Sequence, residues 1–310
     1  MNQLRRVLLL LPVLTAFGAW GQAGPARSRI AALTTDDQVL ALVRPFGWEF
    51  AELVLGDSVR AVYRPYDRTA FRWRGTAWHR ADFDGNGWPD LLVVGRRGSV
   101  PFVFCVLDSG QNRLRVVRNF YHAGDQRQPA ARVVHRPGQD LLQYTAFARR
   151  RSASGGLTGR RTQLLTYRSG GFVPYTRRPL AHRIAAVHYA ARFTYHDRQV
   201  TTVDLDSTGL VRVTYRHGAI VGDTATTTRQ ATRVLGKAEV RQLQDLLNYV
   251  RFAACAPAYT TGYNHRPRVV LRVQYEQGEK RIDDEGGHGT LGLAQVYNWL
   301  ESLATPLKTK

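Results

Sequence analysis

The sequence predicts a β-rich α+β protein: an N-terminal antiparallel β domain, then a smaller α+β domain whose helices lie on one face of a sheet. Three observations carry this. From Glu49 to about Pro174, short apolar runs rich in aromatic and β-branched residues alternate with Gly, Asp, Asn and Arg, as antiparallel strands and their turns do. Near Ala181 the pattern changes to longer strands interleaved with helical periodicity. The 310 residues also exceed what one ordinary core requires, so two domains are the natural expectation. The divisions are 1–21, 22–35, 36–178, 179–305 and 306–310.

Residues 1–21 read as a secretory signal peptide. Arg5 and Arg6 precede the apolar run Val7 to Phe17, and the small residues Ala19, Gly21 and Ala23 follow. The apolar run is short of the ~20 residues that a membrane span needs. Pro12 and the arginine pair suit a buried helix poorly. Cleavage is expected after Gly21 or Ala23, giving an exported protein, periplasmic or extracellular, with no transmembrane segment.

Residues 22–35 are expected to be loose. Thr35, with Gln38 three residues on, forms a capping-box pattern and predicts a helix from Asp36 to Val43. Strands are expected at "RAVYRPY", "DLLVVG", "PFVFCVL", "RLRVVRNFY", "DLLQYTAFA" and "QLLTYRSGGFVPY", with an exposed hairpin loop from Arg149 to Arg161. In the second domain, "QVTTVDLDSTGLVRVTY" reads as a hairpin turning at Asp206 to Gly209. Val240, Leu243, Leu247 and Val250 mark the apolar stripe of a helix. "RVVLRVQY" and "EKRID" flank a turn at Glu276 to Gly278. A last helix places Leu293, Val296, Tyr297, Leu300 and Leu303 on one face, and 306–310 form a tail.

The formal charge is +20, and of the 44 basic residues only Lys237, Lys280, Lys308 and Lys310 are lysine. Such a balance attracts anionic partners at long range. The arginines are dispersed along the whole chain, which compositional bias also produces, and an exported protein is not expected to read a nucleic-acid sequence. The partner expected is an envelope glycan or protein. Two cysteines, Cys105 and Cys255, are too few for a disulfide framework, and Cys105 sits in what reads as a buried strand.

Within this basic chain, "DFDGNGWPD" (Asp82 to Asp90) concentrates three carboxylates and an Asn. Calcium takes six to eight oxygens, and a tight loop supplies them when alternate side chains point inward. Asp82, Asp84 and Asn86 hold positions one, three and five. The Trp88 carbonyl can serve at seven and Asp90 at nine, with Gly87 allowing the sharp reversal at six. An Asp/Asn/Gly turn shaped by its own side chains is the alternative. Val93 stands where an EF-hand has its bidentate Glu, so a helix-loop-helix site is excluded.

This run resembles the D-x-D-x-N-G-x-x-D calcium loop of FG-GAP or VCBS-type repeats, and the following "DLLVVG" is similar too. The resemblance implies a Ca2+ cofactor held by Asp82, Asp84, Asn86, Trp88 and Asp90. Only one full copy is present: "DLDSTGLVR" begins alike but has Arg212 at the closing position, which argues against a closed propeller. The C-terminal stretch from Gly278 to Leu303 resembles the tail of a family of exported bacterial proteins of unknown function, through Lys280, Asp283, Gly289, Thr290, Gly292, Leu293 and Tyr297. Its Cys-x-x-Cys-Pro-like element has no counterpart here, because "YAARFTYHDRQ" contains no cysteine.

Gly287, Gly289 and Thr290 at this helix start are candidate anion-binding residues through their backbone N–H groups. Thr290 as a plain N-cap is the alternative. Asp283, Asp284, Glu285 and His288 are a further candidate metal cluster. Ser58, in "GDSV", resembles the nucleophile block of GDSL-type esterases, and His288 is the base it would need. However, Glu285 replaces the Asp of their D-x-x-H block, and their G-x-N-D block is absent. The sequence therefore favours a non-catalytic, calcium-stabilised binding protein of the cell envelope over an envelope hydrolase.

Overall fold

The structure, a computed structural model, describes residues 28–56, 76–98, 100–111, 113–118, 127–148, 159–193, 199–218, 226–260, 267–287 and 289–308. The signal segment, the "RAVYRPY" strand, the tip of the Arg149 to Arg161 loop, Ser58 and His288 lie outside them. The fold is β-rich α+β with antiparallel sheets.

The chain enters through α1 (Asp36–Val43) and the short α2 (Trp48–Ala51). Thr35 caps α1 reciprocally with Gln38, satisfying N–H groups that a helix start leaves unpaired. Residues 28–34, the described part of the stretch before it, are packed rather than loose. Ile30 and Leu33 are buried in the first core, and the Ser28 hydroxyl donates to Asp108 Oδ2 at 2.6 Å. Two apolar anchors and one buried hydrogen bond fasten a segment too short to show any periodicity.

The first sheet contains β1 (Leu53–Leu55), β2 (Trp78–Ala81), β3 (Asp90–Arg97), β4 (Val100–Asp108) and β5 (Leu114–Val117). β1 and β2 pair with opposite ends of the same edge of β3, and β4 takes its other edge. Leu91 to Val94 are all buried, so this strand is covered on both faces, as its unbroken apolar run implies. Cys105 is buried beside it on β4, burial pushes its thiol well up, and both cysteines are free. A second sheet is the meander β6 (Arg127–Arg136), β7 (Gln139–Ala148), β8 (Gly159–Arg168) and β9 (Gly171–Pro174). Its Leu142, Tyr144, Leu165 and Phe172 share one core with the first sheet and α1.

The third sheet has β10 (Ile184–Phe193), β11 (Gln199–Leu205), β12 (Leu210–Gly218), β13 (Thr226–Val234), β14 (Ala258–Tyr259), β15 (Arg268–Tyr275) and β16 (Gly278–Glu285). Its order is β13-β12-β11-β10-β15-β16-β14, antiparallel except for the β14–β16 pair. Alternate residues, among them Val187, Tyr189, Val203, Val213, Leu271 and Val273, bury one face in the second core. Two helices supply the other side of that core, α3 (Lys237–Tyr249) and α4 (Leu291–Ser302), and the short α5 (Thr305–Lys308) follows.

On α3 the buried stripe is Leu243, Leu246 and Leu247, while the expected Val240 and Val250 at its ends are only half-buried. The expected tail is partly docked, since Leu307 of α5 is buried. β13 escaped the sequence reading. It is exposed along nearly its whole length, so it carries no apolar alternation to detect.

The cores meet along the last hairpin of the second sheet. Gln295 of α4 donates to the Ser169 carbonyl at 2.6 Å, and the Arg168 guanidinium lies 4.7 Å from the centre of the Tyr249 ring. The Tyr249 hydroxyl accepts from Thr176 N–H, and buried Asn248 brackets His182 through its N–H and its carbonyl. The chain between the sheets is therefore tied to α3 by hydrogen bonds.

Candidate metal centre

The loop between β2 and β3 is shaped by its own carboxylates. Asp82 Oδ1 accepts from the N–H groups of Gly85 (2.8 Å) and Asn86 (3.1 Å), and Oδ2 accepts from Gly87 N–H at 2.9 Å. Asp84 Oδ1 accepts from Asn86 N–H, and Asn86 Oδ1 accepts from Trp88 N–H at 2.7 Å. Gly85 and Gly87 have φ of +74° and +84°, the left-handed region where a Cβ is costly. The side-chain spacing read from sequence thus produces a reversal in which one carboxylate holds three amides.

Asp82, Asp84 and Asp90 converge, each offering an oxygen within 4.8 Å of the others. Asp90 is fully buried at the start of β3 and bridges two elements: Oδ2 accepts from Phe83 N–H and Oδ1 from Asp108 N–H, both at 2.9 Å. Burial is the main cause that pushes its carboxyl up to about 7, with the neighbouring Asp84 and Asp82 charges adding to it and the two backbone N–H groups opposing. Asp84 is also raised, again chiefly by burial, with Asp82 contributing.

Asn86 and Trp88 stand differently. Asn86 Nδ2 donates to Asp84 Oδ2 at 3.1 Å and to the Asp108 carbonyl at 2.8 Å, so this amide presents its nitrogen to the carboxylate. Trp88 lays its indole over Gly110, where a Cβ would sit 3.0 Å from Nε1. The donor atoms that do converge are all carboxylate oxygens. Such a set suits a hard cation of the calcium or magnesium class rather than a metal that prefers nitrogen or sulfur.

Two participants were not read from the sequence. Asp108 links the N-terminal segment to the loop, through Ser28 on its carboxylate and Asn86 on its carbonyl. Its Oδ1 also accepts from Gly110 N–H, so "DSG" carried a local turn signal that could have found it. Asp140, near the start of β7, accepts the Asp82 N–H at 2.8 Å while its other oxygen meets His135 Nδ1 at 2.6 Å. No local spacing reveals this contact, which depends on one sheet meeting another. Phe83 completes the anchorage. It is buried and edge-on to Phe172 of β9, with centroids 5.3 Å apart. The loop therefore pins the two sheets of the first domain together.

Among the described residues the other candidates do not form a comparable carboxylate cluster. "DLDSTGLVR" is a hairpin turn in which Asp206 Oδ1 accepts from Thr208 and Leu210 and Gly209 has φ of +85°; Arg212 lies opposite Asp204 across the ladder. Asp283 and Asp284 point to opposite faces of β16, as successive strand residues must. Asp283 pairs with Arg281, whereas Asp284 is buried, so the pair cannot share one ion.

At the start of α4, Thr290 accepts from Leu293 N–H as a cap. The Gly289 N–H donates to Asp284 Oδ2 at 2.7 Å, and the space a Cβ would need there is filled by Tyr259 and that carboxylate. The anion at this helix start is the chain's own side chain.

No family model, curated protein or solved structure matches this chain.

Proposed function

We propose that this is an exported, non-catalytic binding protein of the cell envelope whose first domain is braced by a calcium ion. The observation that carries the reading is the convergence of Asp82, Asp84 and Asp90 in a loop that already ties two sheets together. Three carboxylates so close repel one another, and burial penalises the charges of Asp84 and Asp90 further. A divalent cation relieves both penalties and locks the loop to β3. Asn86 and the Trp88 carbonyl are the further ligands we assign, the former by turning its amide. Export rests on Arg5, Arg6 and the apolar run that follows them. Among the described residues no helix is long and apolar enough to cross a membrane. A net charge of +20 favours an anionic partner.

Calcium at millimolar concentration will raise the thermal midpoint relative to chelator. A site of extracellular type binds at about 10⁻⁴–10⁻³ M, so ten times that concentration stabilises by roughly 1.4 kcal/mol. The Asp82→Ala/Asp84→Ala double variant will show no such increment. Equal midpoints for the wild-type protein in calcium and in chelator would end the calcium reading.

A further inference from the structure

The second core buries one face of the seven-stranded sheet; among the described residues no helix covers the other face. The registers place its outward residues in rows. One row runs Arg212, Asp204, His188, Arg272, Arg281 across β12, β11, β10, β15 and β16. A second, four residues along the strands, runs Arg216, Val200, Arg192, Arg268, Glu285. Between them lies a row of short side chains, Thr214, Thr202, Ala190 and Val270. All six arginines are exposed. Arg281 and Arg268 face Asp283, at 2.8 and 3.9 Å, but Arg192, Arg212, Arg216 and Arg272 form no salt bridge among the described residues. The face dips beside Ala186, between Arg212 and Arg272, into a depression of about 310 Å³.

We propose that this open face binds a linear acidic polysaccharide laid across the strands, along the trough of short side chains. The spacing of the arginines is the first reason. Strands sit about 4.8 Å apart, so Arg216 and Arg192 are separated by roughly 10 Å and Arg212 and Arg272 by roughly 14 Å. Two rows that spread guanidinium groups over four strands offer more anchoring points than one small anion fills, and they suit charges repeated along a polymer. Guanidinium groups also match carboxylate oxygens bidentately.

The second reason is what stands between the arginines. Asp204, Glu285, Thr202 and Thr214 are acceptors on the same face, and sugar hydroxyls donate to such groups. His188 Nδ1 is held by Asp204 at 2.6 Å, leaving Nε2 for a ligand. The phosphodiester backbone of DNA has no hydroxyl donors to match those carboxylates, and these rows contain no Phe, Tyr or Trp on which a base could stack. Asp206 at the rim is engaged by its own turn, through Thr208 and Leu210.

This inference shares with the proposed function the premise of an anionic partner, but it is independent of calcium. The test is titration calorimetry of the full chain at low salt, in chelator, with hyaluronate, whose carboxylates alternate along the chain. The wild-type protein will bind, and Arg192→Glu/Arg272→Glu will weaken binding by at least about tenfold, the scale of one lost charged contact. Arg177→Glu/Arg178→Glu makes the same charge change outside this sheet and will leave binding unchanged. Thermal melts confirm that both variants fold. Equal weakening in the two variants, or none in either, overturns the sheet face while leaving an anionic partner in place. No binding of hyaluronate by the wild-type protein overturns the polysaccharide assignment. Tighter binding to a single-stranded oligonucleotide or to phosphatidylglycerol vesicles than to hyaluronate overturns the polysaccharide assignment.

Discussion

Asp90→Ala will destabilise the protein by roughly 2–6 kcal/mol in urea unfolding. It leaves the buried N–H groups of Phe83 and Asp108 without acceptors, at about 1–3 kcal/mol each. Asp90→Asn separates this bonding role from the charge. Its amide retains one acceptor and turns a donor toward the second N–H, so it will cost about half as much. It will also change the response to pH.

Because burial raises the wild-type carboxyl to about 7 in the folded state, ionising it opposes folding. Without a metal, this contribution is full below the unfolded value near 4 and is lost as pH rises through about 7. The loss reaches roughly 4 kcal/mol, at 1.36 kcal/mol for each pKa step. Asp90→Asn will flatten that slope in chelator. Calcium competes with the proton, so its stabilisation of the wild-type protein will grow over the same interval. A slope unchanged by Asp90→Asn would place the titrating group elsewhere.

Phe83→Ala will cost about 3–5 kcal/mol, the usual range for emptying a buried phenyl site. The ring sits in the second position of the acidic loop, yet is only 4% exposed and edge-on to Phe172 from the second sheet. Its removal takes away the apolar half of the clamp whose polar half is the Asp82–Asp140 hydrogen bond. A cycle with Phe172→Ala will show coupling of roughly 0.5–1.5 kcal/mol beyond simple burial. Strict additivity would mean that the rings stabilise their own sheets separately and that the loop is not a brace.

Features that depend on near neighbours were legible in the sequence. The α1 capping box, the Asp206 turn, the buried run of β3 and the acidic loop each write their geometry into spacings of two to eight residues. What escaped depends on partners far along the chain. Asp140 reaches Asp82 across 58 positions, and Ser28 reaches Asp108 across 80. β13 escaped for a different reason, since an exposed edge strand of Thr, Arg and Gln buries too little to show a period. The α4 start illustrates the limit of a motif. Its N–H groups are suited to an anion, but the fold supplies one from inside, as Asp284. The arginine rows of the third sheet appear only once the register aligns strands far apart in sequence.

The most direct test of a metal-braced loop is the anomalous difference density in crystals of the full chain grown in calcium. A peak is expected among Asp82, Asp84 and Asp90, with oxygen ligands at about 2.3–2.6 Å and Asn86 turned to offer its oxygen. The three carboxylates around no peak, with Asn86 still donating to Asp84, would contradict it.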